Sequence, residues 1–285
     1  MRIILLTSIL TIFVTLGLSA SDLKGYPRKS LFVNLSADYS RLYNKSIFTD
    51  SQWNALGGIG YSIEAGYLMR LRKSVSLGFG AGLSSYHSEI NMDSYQTSYP
   101  TLDVDGDSYT EFIQANGLME STRIITLDIP VFLELGDANT SKVSYYVRLG
   151  LKISTPVAYN FTHSGSMSVS GNYAQYFVRL EGIPELGFVD NAPVIKSSEY
   201  DLNPLNLSVL LAGGITIPVS DYIIFKLGAD LNYGLMNISS FEQNVSQDPG
   251  YINIYNNLLT GPNSKTIWQS VGFEFGIIYI LKSIY

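Results

Sequence analysis

The chain has 285 residues, a formal net charge of -6 and no cysteine. Only 15% of its residues are charged, whereas about a quarter are charged in a typical soluble domain. The acidic balance and the lack of a basic aromatic patch argue against nucleic acid as a partner. The absence of cysteine excludes disulfides, thiolate metal sites and a lipidated cysteine. The low charge content indicates that much of the outer surface does not contact water.

The first twenty residues predict a secretory signal peptide. Residues 3–18 form a nearly continuous apolar run behind Arg2, and the small residues Ser19 and Ala20 follow. A membrane anchor is the alternative, although the run is short for the ~20 residues that span a bilayer. We therefore expect residues 1–20 to be cleaved. Residues 21–285 are expected to form one barrel domain, because no change in composition marks a second.

Eight segments of the remaining chain alternate apolar residues with polar residues or glycine, which is the period of a β-strand. They cover residues 31–40, 58–70, 75–84, 125–135, 144–154, 207–217, 223–234 and 267–279. Short turns are predicted near Arg72, Ala138 and Ser220. The other connections are long and polar, among them residues 86–122 and an irregular stretch from 155 to about 204.

An even number of strands joined by alternating long and short connections is typical of outer-membrane barrels. The pattern predicts an all-β fold, an eight-stranded antiparallel transmembrane up-and-down β-barrel with long extracellular loops. Because the number of strands is even, both termini are expected on the periplasmic side of a bacterial outer membrane. Tyrosines near strand ends predict girdles at the membrane surfaces, with a general enrichment of tyrosine in strands as the alternative. These are Tyr39, Tyr43, Tyr86 and Tyr233 toward the loops, and Tyr145, Tyr222 and Tyr279 toward the turns.

The hairpin of residues 125–135 and 144–154 has one apolar and one charged face, so by itself it fits a soluble sandwich or a membrane barrel. The charged faces of all eight strands favour the barrel, because they carry many glycines and too few charges for a surface in water. Eight strands leave an interior just wide enough for side chains, and glycines make room for long ones. We expect a paired network of six acids and four bases there: Asp38, Glu64, Arg70, Asp128, Glu134, Arg148, Lys152, Lys226, Asp230 and Glu274.

The two histidines offer little support for catalysis. His87 and His163 lie in different predicted loops, and neither stands in a recognisable Ser-His-Asp spacing. Ser84 or Ser85 remains a formal nucleophile partner for His87 at the barrel rim. We therefore expect no enzyme activity and no cofactor.

An acidic segment is the one candidate for a cation. Asp103, Asp105 and Asp107 alternate along it, and alternating carboxylates can surround a hard cation with oxygen ligands. The segment fails the EF-hand rule, because Gly106 comes too early and Gln114 holds the twelfth position. A solvated acidic loop is the alternative, and no resident metal is expected.

Two neighbouring stretches resemble the PorT-like family of outer-membrane β-barrel domains. They are LDIPVFL at residues 127–133 and YYVRLG at residues 145–150. Members of the family show an aliphatic-acid-Ile-Pro-aliphatic strand followed by a Tyr-to-Gly strand. The resemblance implies an outer-membrane barrel and, through the namesake of the family, a part in type IX secretion. It extends loosely over the mature chain, and it carries over no functional residue.

Three functions follow as hypotheses. The first is a non-enzymatic outer-membrane barrel that presents surface loops for binding or supports a complex of the cell envelope, with an unknown protein partner. The second is a small porin-like channel, and the third is a barrel hydrolase with catalysis at its rim. Outer-membrane lipid is an expected partner. The barrel-assembly machinery is another during biogenesis, since the chain ends with an aromatic residue in Ile284-Tyr285.

Overall fold

The fold was analysed in a computed structural model of the chain. The structure describes residues 29–44, 53–72, 74–136, 142–193, 196–198, 202–238 and 266–281. The predicted signal peptide and the terminal Ile284-Tyr285 lie outside the described residues. Within the described ranges, no helix is long and apolar enough to cross a membrane.

Eight long strands form a closed antiparallel ring. The strands of the chain are β1 (Lys29–Asn44), β2 (Trp53–Arg72), β3 (Val75–Leu102), β4 (Ser108–Gly136), β5 (Ser144–Tyr173), β6 (Val178–Leu180), β7 (Ala192–Pro193), β8 (Lys196–Ser198), β9 (Asn206–Pro218), β10 (Ile223–Gly234) and β11 (Thr266–Ile280). Sequential neighbours pair from β1 to β5, β5 pairs β9, and β9 to β11 pair in order. Pairing of β11 with β1 closes the ring. The predicted eight-stranded up-and-down barrel is therefore confirmed.

The two ends of the barrel differ in their connections. The strand pairs β2–β3, β4–β5 and β9–β10 each have a short connection at one end of the barrel, which we call the turn end. The first and last strands also meet there, because Ser30 stands opposite Ile280 and the amide of Leu281 donates to the carbonyl of Lys29. The opposite end, the loop end, holds the long connections. This division matches the prediction that short and long connections alternate along an even number of strands.

Three strands run far beyond the length that a membrane requires. β3, β4 and β5 contain 28, 29 and 30 residues, whereas a strand crosses a bilayer with ~9–11. The prediction of loops at residues 86–122 and 155–173 was therefore wrong. Both faces of the extended part are largely polar, because neither face contacts lipid there. The alternation of apolar and polar residues is therefore lost in this part of the sequence. The hydrogen-bonded ladder between β3 and β4 nevertheless continues to the pair Leu102 and Ser108.

The extended part continues the barrel sheet beyond the loop end. This distal sheet comprises residues 87–122 and the described part of 160–198, including the short strands β6, β7 and β8, which all pair with β5. Its small core contains Met167, Val169, Tyr173 and Phe188, with Tyr109 packed against them. The core explains how a sheet outside the barrel keeps a defined structure.

The two faces of the barrel wall differ as the sequence predicts. Apolar side chains point outward, where Phe273 is 80% exposed and Leu149 58%. Charged side chains point inward, where Glu64 and Arg148 are 4% and 1% exposed. This arrangement is the reverse of a soluble protein and suits a wall surrounded by hydrocarbon.

Candidate functional site

All ten charged residues predicted for the interior are buried there. They come from six of the eight ring strands, and each is at most 7% exposed: Asp38 (β1), Glu64 and Arg70 (β2), Asp128 and Glu134 (β4), Arg148 and Lys152 (β5), Lys226 and Asp230 (β10), and Glu274 (β11). A charge enclosed in this way is costly unless it is paired. The pairing of these residues therefore decides what the interior can do.

One ionic cluster surrounds Arg148. Its guanidinium Nη1 lies 2.7 Å from Oε2 of Glu274, and its Nη2 lies 3.4 Å from Oε2 of Glu134. The same Glu134 oxygen is 2.5 Å from Nζ of Lys226. The Tyr146 hydroxyl donates to Glu274 over 3.2 Å, and Lys226 Nζ lies 3.9 Å from the centre of the Tyr146 ring. Two bases thus neutralise two acids on strands that are far apart in sequence.

A second ionic cluster surrounds Lys152. Its Nζ lies 2.7 Å from Oε1 of Glu64 and 3.8 Å from Oδ2 of Asp128. Thr126 donates a hydrogen bond of 2.8 Å to Asp128, and Ser84 donates another. The lysine therefore links β2 to β4 across the interior.

The remaining two acids form a group without a base. Ser36 contacts both carboxylates, that of Asp38 and that of Asp230, the latter at 2.9 Å. Asn232 donates from Nδ2 to Asp230 over 3.1 Å. No ion pair within 4.0 Å in the described part of the chain joins either acid to a base.

Two apolar clusters occupy the interior along with the charges. On β1 and β11 they bracket the polar stretch, with Phe32 and Ile278 toward the turn end and Leu42 and Trp268 toward the loop end. Tyr86 stacks on Trp268 with ring centres 4.2 Å apart. Tyr86 is 5% exposed, so its predicted place in a membrane-surface girdle was wrong. Its even position on β3 turns it inward.

The outward tyrosines and the inward glycines follow the predictions. Tyr39, Tyr233, Tyr145 and Tyr279 are 43–80% exposed near the two ends of the wall. Inside, an added Cβ at Gly228 would overlap the Tyr146 hydroxyl. Glycine at such positions makes room for a long side chain from another strand, as predicted.

The predicted acidic segment forms the hairpin tip between β3 and β4. The carboxylate of Asp103 accepts the backbone N–H of Asp105 and of Asp107, at 3.0 and 2.9 Å, as in an Asx turn. The Asp107 carboxylate accepts the Tyr176 hydroxyl at 2.8 Å. Among the residues described, no three His, Cys, Asp or Glu side chains are grouped so as to hold a metal ion. The tip is therefore a hairpin turn held by the Asp103 carboxylate.

Tyrosines gather beside this acidic tip. Burial raises the pKa of the Tyr109 phenol to about 12, and the nearby Glu111 carboxylate adds to the shift. The hydrogen bond to Asp107 raises the pKa of Tyr176 above its usual value. The Tyr109 ring stacks on Tyr173 with centres 4.9 Å apart. The sequence analysis missed this group, because its members come from β4, β5 and the turn after β5.

The structure forms no Ser-His pair at the predicted position. Ser84 points inward and hydrogen-bonds Asp128, while His87 Nε2 lies 3.2 Å from Glu89 Oε1. Ser85 Oγ and His87 Nδ1 are both buried, and neither has a hydrogen-bond partner in the described part of the protein. The side chain of His163 lies outside the described residues.

Comparison with known proteins gives structural likenesses alone. No family model and no curated protein matches the chain. Among solved structures, Neisserial surface protein A is 11% identical with a TM-score of 0.36, over 88% of this chain and 97% of that one. Ail, the attachment invasion locus protein of Yersinia pestis, is 9% identical with a TM-score of 0.32, over 88% and 99%. The outer-membrane protease OmpT of Escherichia coli is 9% identical with a TM-score of 0.32, over 92% and 100%. All three are outer-membrane β-barrel proteins.

Proposed function

We propose that the protein is an integral outer-membrane barrel without enzymatic activity, which displays its distal sheet for binding or for support of an envelope complex. The observation that carries the proposal is the inverted wall: an apolar outside around an enclosed ionic inside. Contact of that apolar outer surface with water would carry a large free-energy cost, whereas acyl chains solvate it. The proposal includes cleavage of residues 1–20 and periplasmic termini.

The packing of the interior argues for a scaffold and against a channel. Side chains that line a water-filled pore are exposed to water, whereas Asp128, Arg148 and Lys226 are at most 1% exposed. The ionic clusters cross-link β2, β4, β5, β10 and β11 through the interior. A wall tied together in this way gives the distal sheet a rigid base. We expect no conductance in planar bilayers.

The tip of the distal sheet has the features of a binding surface. Val104 is fully exposed and Phe177 is 97% exposed, and Tyr176 beside Phe177 reaches Asp107. Phe177 has a φ of 55°, a conformation that is rare for an aromatic residue. Large apolar side chains held in water next to carboxylates suit a protein partner with an apolar pocket and basic surroundings.

The remaining alternatives are less well supported. Membership of the PorT-like family rests on the hairpin at residues 127–133 and 145–150, and a part in type IX secretion rests on that membership. A rim hydrolase would need a Ser-His pair, and in the described part of the chain no hydrogen bond joins His87 to Ser84 or to Ser85. An His87→Ala variant is expected to keep every activity that the wild-type chain shows.

Cysteine labelling in whole cells tests the proposed orientation, because the chain has no cysteine of its own. Val104→Cys at the distal tip should react with a membrane-impermeant maleimide on intact cells. Val219→Cys at the turn end is 56% exposed as valine and should react only after the outer membrane is permeabilised. Thr126→Cys, at a fully buried position, is the control that should not react in either case. Labelling of Val219→Cys on intact cells would refute the orientation, and fractionation of the chain away from the outer membrane would refute the location.

A further inference from the structure

Two carboxylates in the interior face the same space. In the ladder, Gly272 of β11 stands directly between Asp38 of β1 and Asp230 of β10. A Cβ added at Gly272 would overlap Oδ1 of Asp38, so the acid occupies the room that the glycine leaves. Asp38 and Asp230 are each 5% exposed. Two acidic side chains are therefore enclosed in one place.

With all ten of these side chains ionised, the charges of the interior do not balance. The six acids and four bases leave an excess of two negative charges. The other four acids each lie within 4.0 Å of Arg148, Lys152 or Lys226. Asp38 and Asp230 have no such partner in the part of the chain that the structure describes. The excess of two charges thus coincides with this one pair.

The hydrogen bonds around the pair show an excess of acceptors. Ser36 Oγ contacts both Asp38 and Asp230, yet a hydroxyl carries one proton and can donate to only one of them. Asn232 gives its amide protons to Asp230 and to Ser270, at 3.1 and 3.3 Å. Its Oδ1 is buried, with no donor among the described residues, and the whole residue is 4% exposed. Among the described residues, this group therefore has more acceptor oxygens than donors.

We propose that this pocket binds one divalent cation, for which calcium is the probe, through the carboxylates of Asp38 and Asp230 with the oxygens of Asn232 and Ser36. Calcium takes hard oxygen ligands in flexible geometry, and its charge equals the excess. A single proton shared by the two carboxyl groups would neutralise only half of that excess. It would also leave the carbonyl oxygen of Asn232 without a partner.

The position of the pocket determines how the ion enters and leaves. On β1 and β11 it lies between the two apolar clusters, so exchange through the folded barrel is slow and the ion is bound during folding. A calcium ion in the pocket should therefore survive a brief wash with chelator. Calcium on the exposed acidic tip should be removed by the same wash.

Refolding of the full chain into detergent micelles tests the proposal. Wild type refolded in calcium, washed with EDTA and desalted should retain one calcium per barrel, measured by atomic emission after acid release. The double variant Asp38→Asn/Asp230→Asn should retain none, and it should melt at the same temperature whether refolded in calcium or in EDTA. Asp105→Asn, which changes only the tip, should retain calcium like wild type.

Three outcomes would overturn the proposal. They are wild type without retained calcium, a double variant that retains as much as wild type, and loss of calcium in Asp105→Asn. If wild type holds no calcium and the double variant melts higher than wild type in EDTA, the pair shares a proton, which also overturns it. If the double variant does not fold, Asp230→Asn alone should show at least a tenfold weaker retention at limiting calcium.

Discussion

Removal of the Lys152 ammonium group is the sharpest test of the enclosed interior. Lys152→Met keeps the length of the side chain and leaves Glu64 and Asp128 without their shared base. Loss of one partner of a buried ion pair costs about 3–5 kcal/mol. Glu64 loses a contact of 2.7 Å, while Asp128 loses one of 3.8 Å and keeps its bonds from Thr126 and Ser84. We therefore expect Glu64 to account for most of the loss.

A double-mutant cycle separates the ion pair from the packing. Glu64→Gln/Lys152→Met leaves one carboxylate without a base instead of two, so it should be more stable than Lys152→Met alone. The coupling free energy should be at least ~1 kcal/mol. Lys142→Met changes an exposed lysine near the turn end, and as the matched control it should change stability by less than about 0.5 kcal/mol.

Urea unfolding of the barrel in lipid vesicles measures these differences, because the buried indole of Trp268 reports on the interior. A cost below about 1 kcal/mol for Lys152→Met would refute the reasoning, since burial of an unpaired charge is much costlier. Such a result would mean that water hydrates Glu64 and Asp128. A channel would then again be a candidate function.

Three further predictions concern the wall, the apolar interior and the distal sheet. Leu149→Arg places a charge on the outer wall and should cost about 2–4 kcal/mol in a bilayer, whereas Val104→Arg at the tip should leave unfolding in vesicles unchanged. Phe132→Ala removes a ring that is 2% exposed and should cost about 3–5 kcal/mol, measured by the same unfolding experiment. The raised pKa of Tyr109, about 12 against 10.0 for a free phenol, stabilises the distal sheet below pH 10. That contribution should be lost as the pH rises through 12, and Tyr109→Phe should remove its pH dependence in near-ultraviolet circular dichroism.

Each of these predictions has a result that would contradict it. Equal costs for Leu149→Arg and Val104→Arg would mean that lipid does not surround the wall. A loss below about 1 kcal/mol for Phe132→Ala would mean that the apolar interior is loosely packed. An unchanged alkaline transition in Tyr109→Phe would assign that transition to other tyrosines.

Alternation along the chain was sufficient to locate the eight ring strands and to divide their residues between two faces. For β1, the predicted strand 31–40 lies within Lys29–Asn44, and for β10 the bounds agree at Ile223–Gly234. The same alternation of side chains along each strand predicted that Asp38 and Glu274 point into the barrel. Both were predictable because a barrel wall has only two environments, and a shift by one residue exchanges them.

The sequence did not predict which charges meet, because pairing depends on the stagger of the strands around the ring. Arg148 reaches Glu274 across 126 positions of the chain, and no local pattern encodes that distance. It also did not predict the length of β3, β4 and β5. Beyond the wall both faces are largely polar, so the pattern that identifies a strand in the wall is missing where the distal sheet begins.

The sequence by itself thus determined the class of fold, the inward residues and the excess of two negative charges in the interior. Each follows from composition and a period of two, which are properties of single strands. Only the tertiary structure decided that the excess falls on Asp38 and Asp230, that Tyr86 belongs to the interior, and that the acidic tip stands on a long sheet. These are relations between strands, and they exist only once closure of the ring fixes the register of every neighbour.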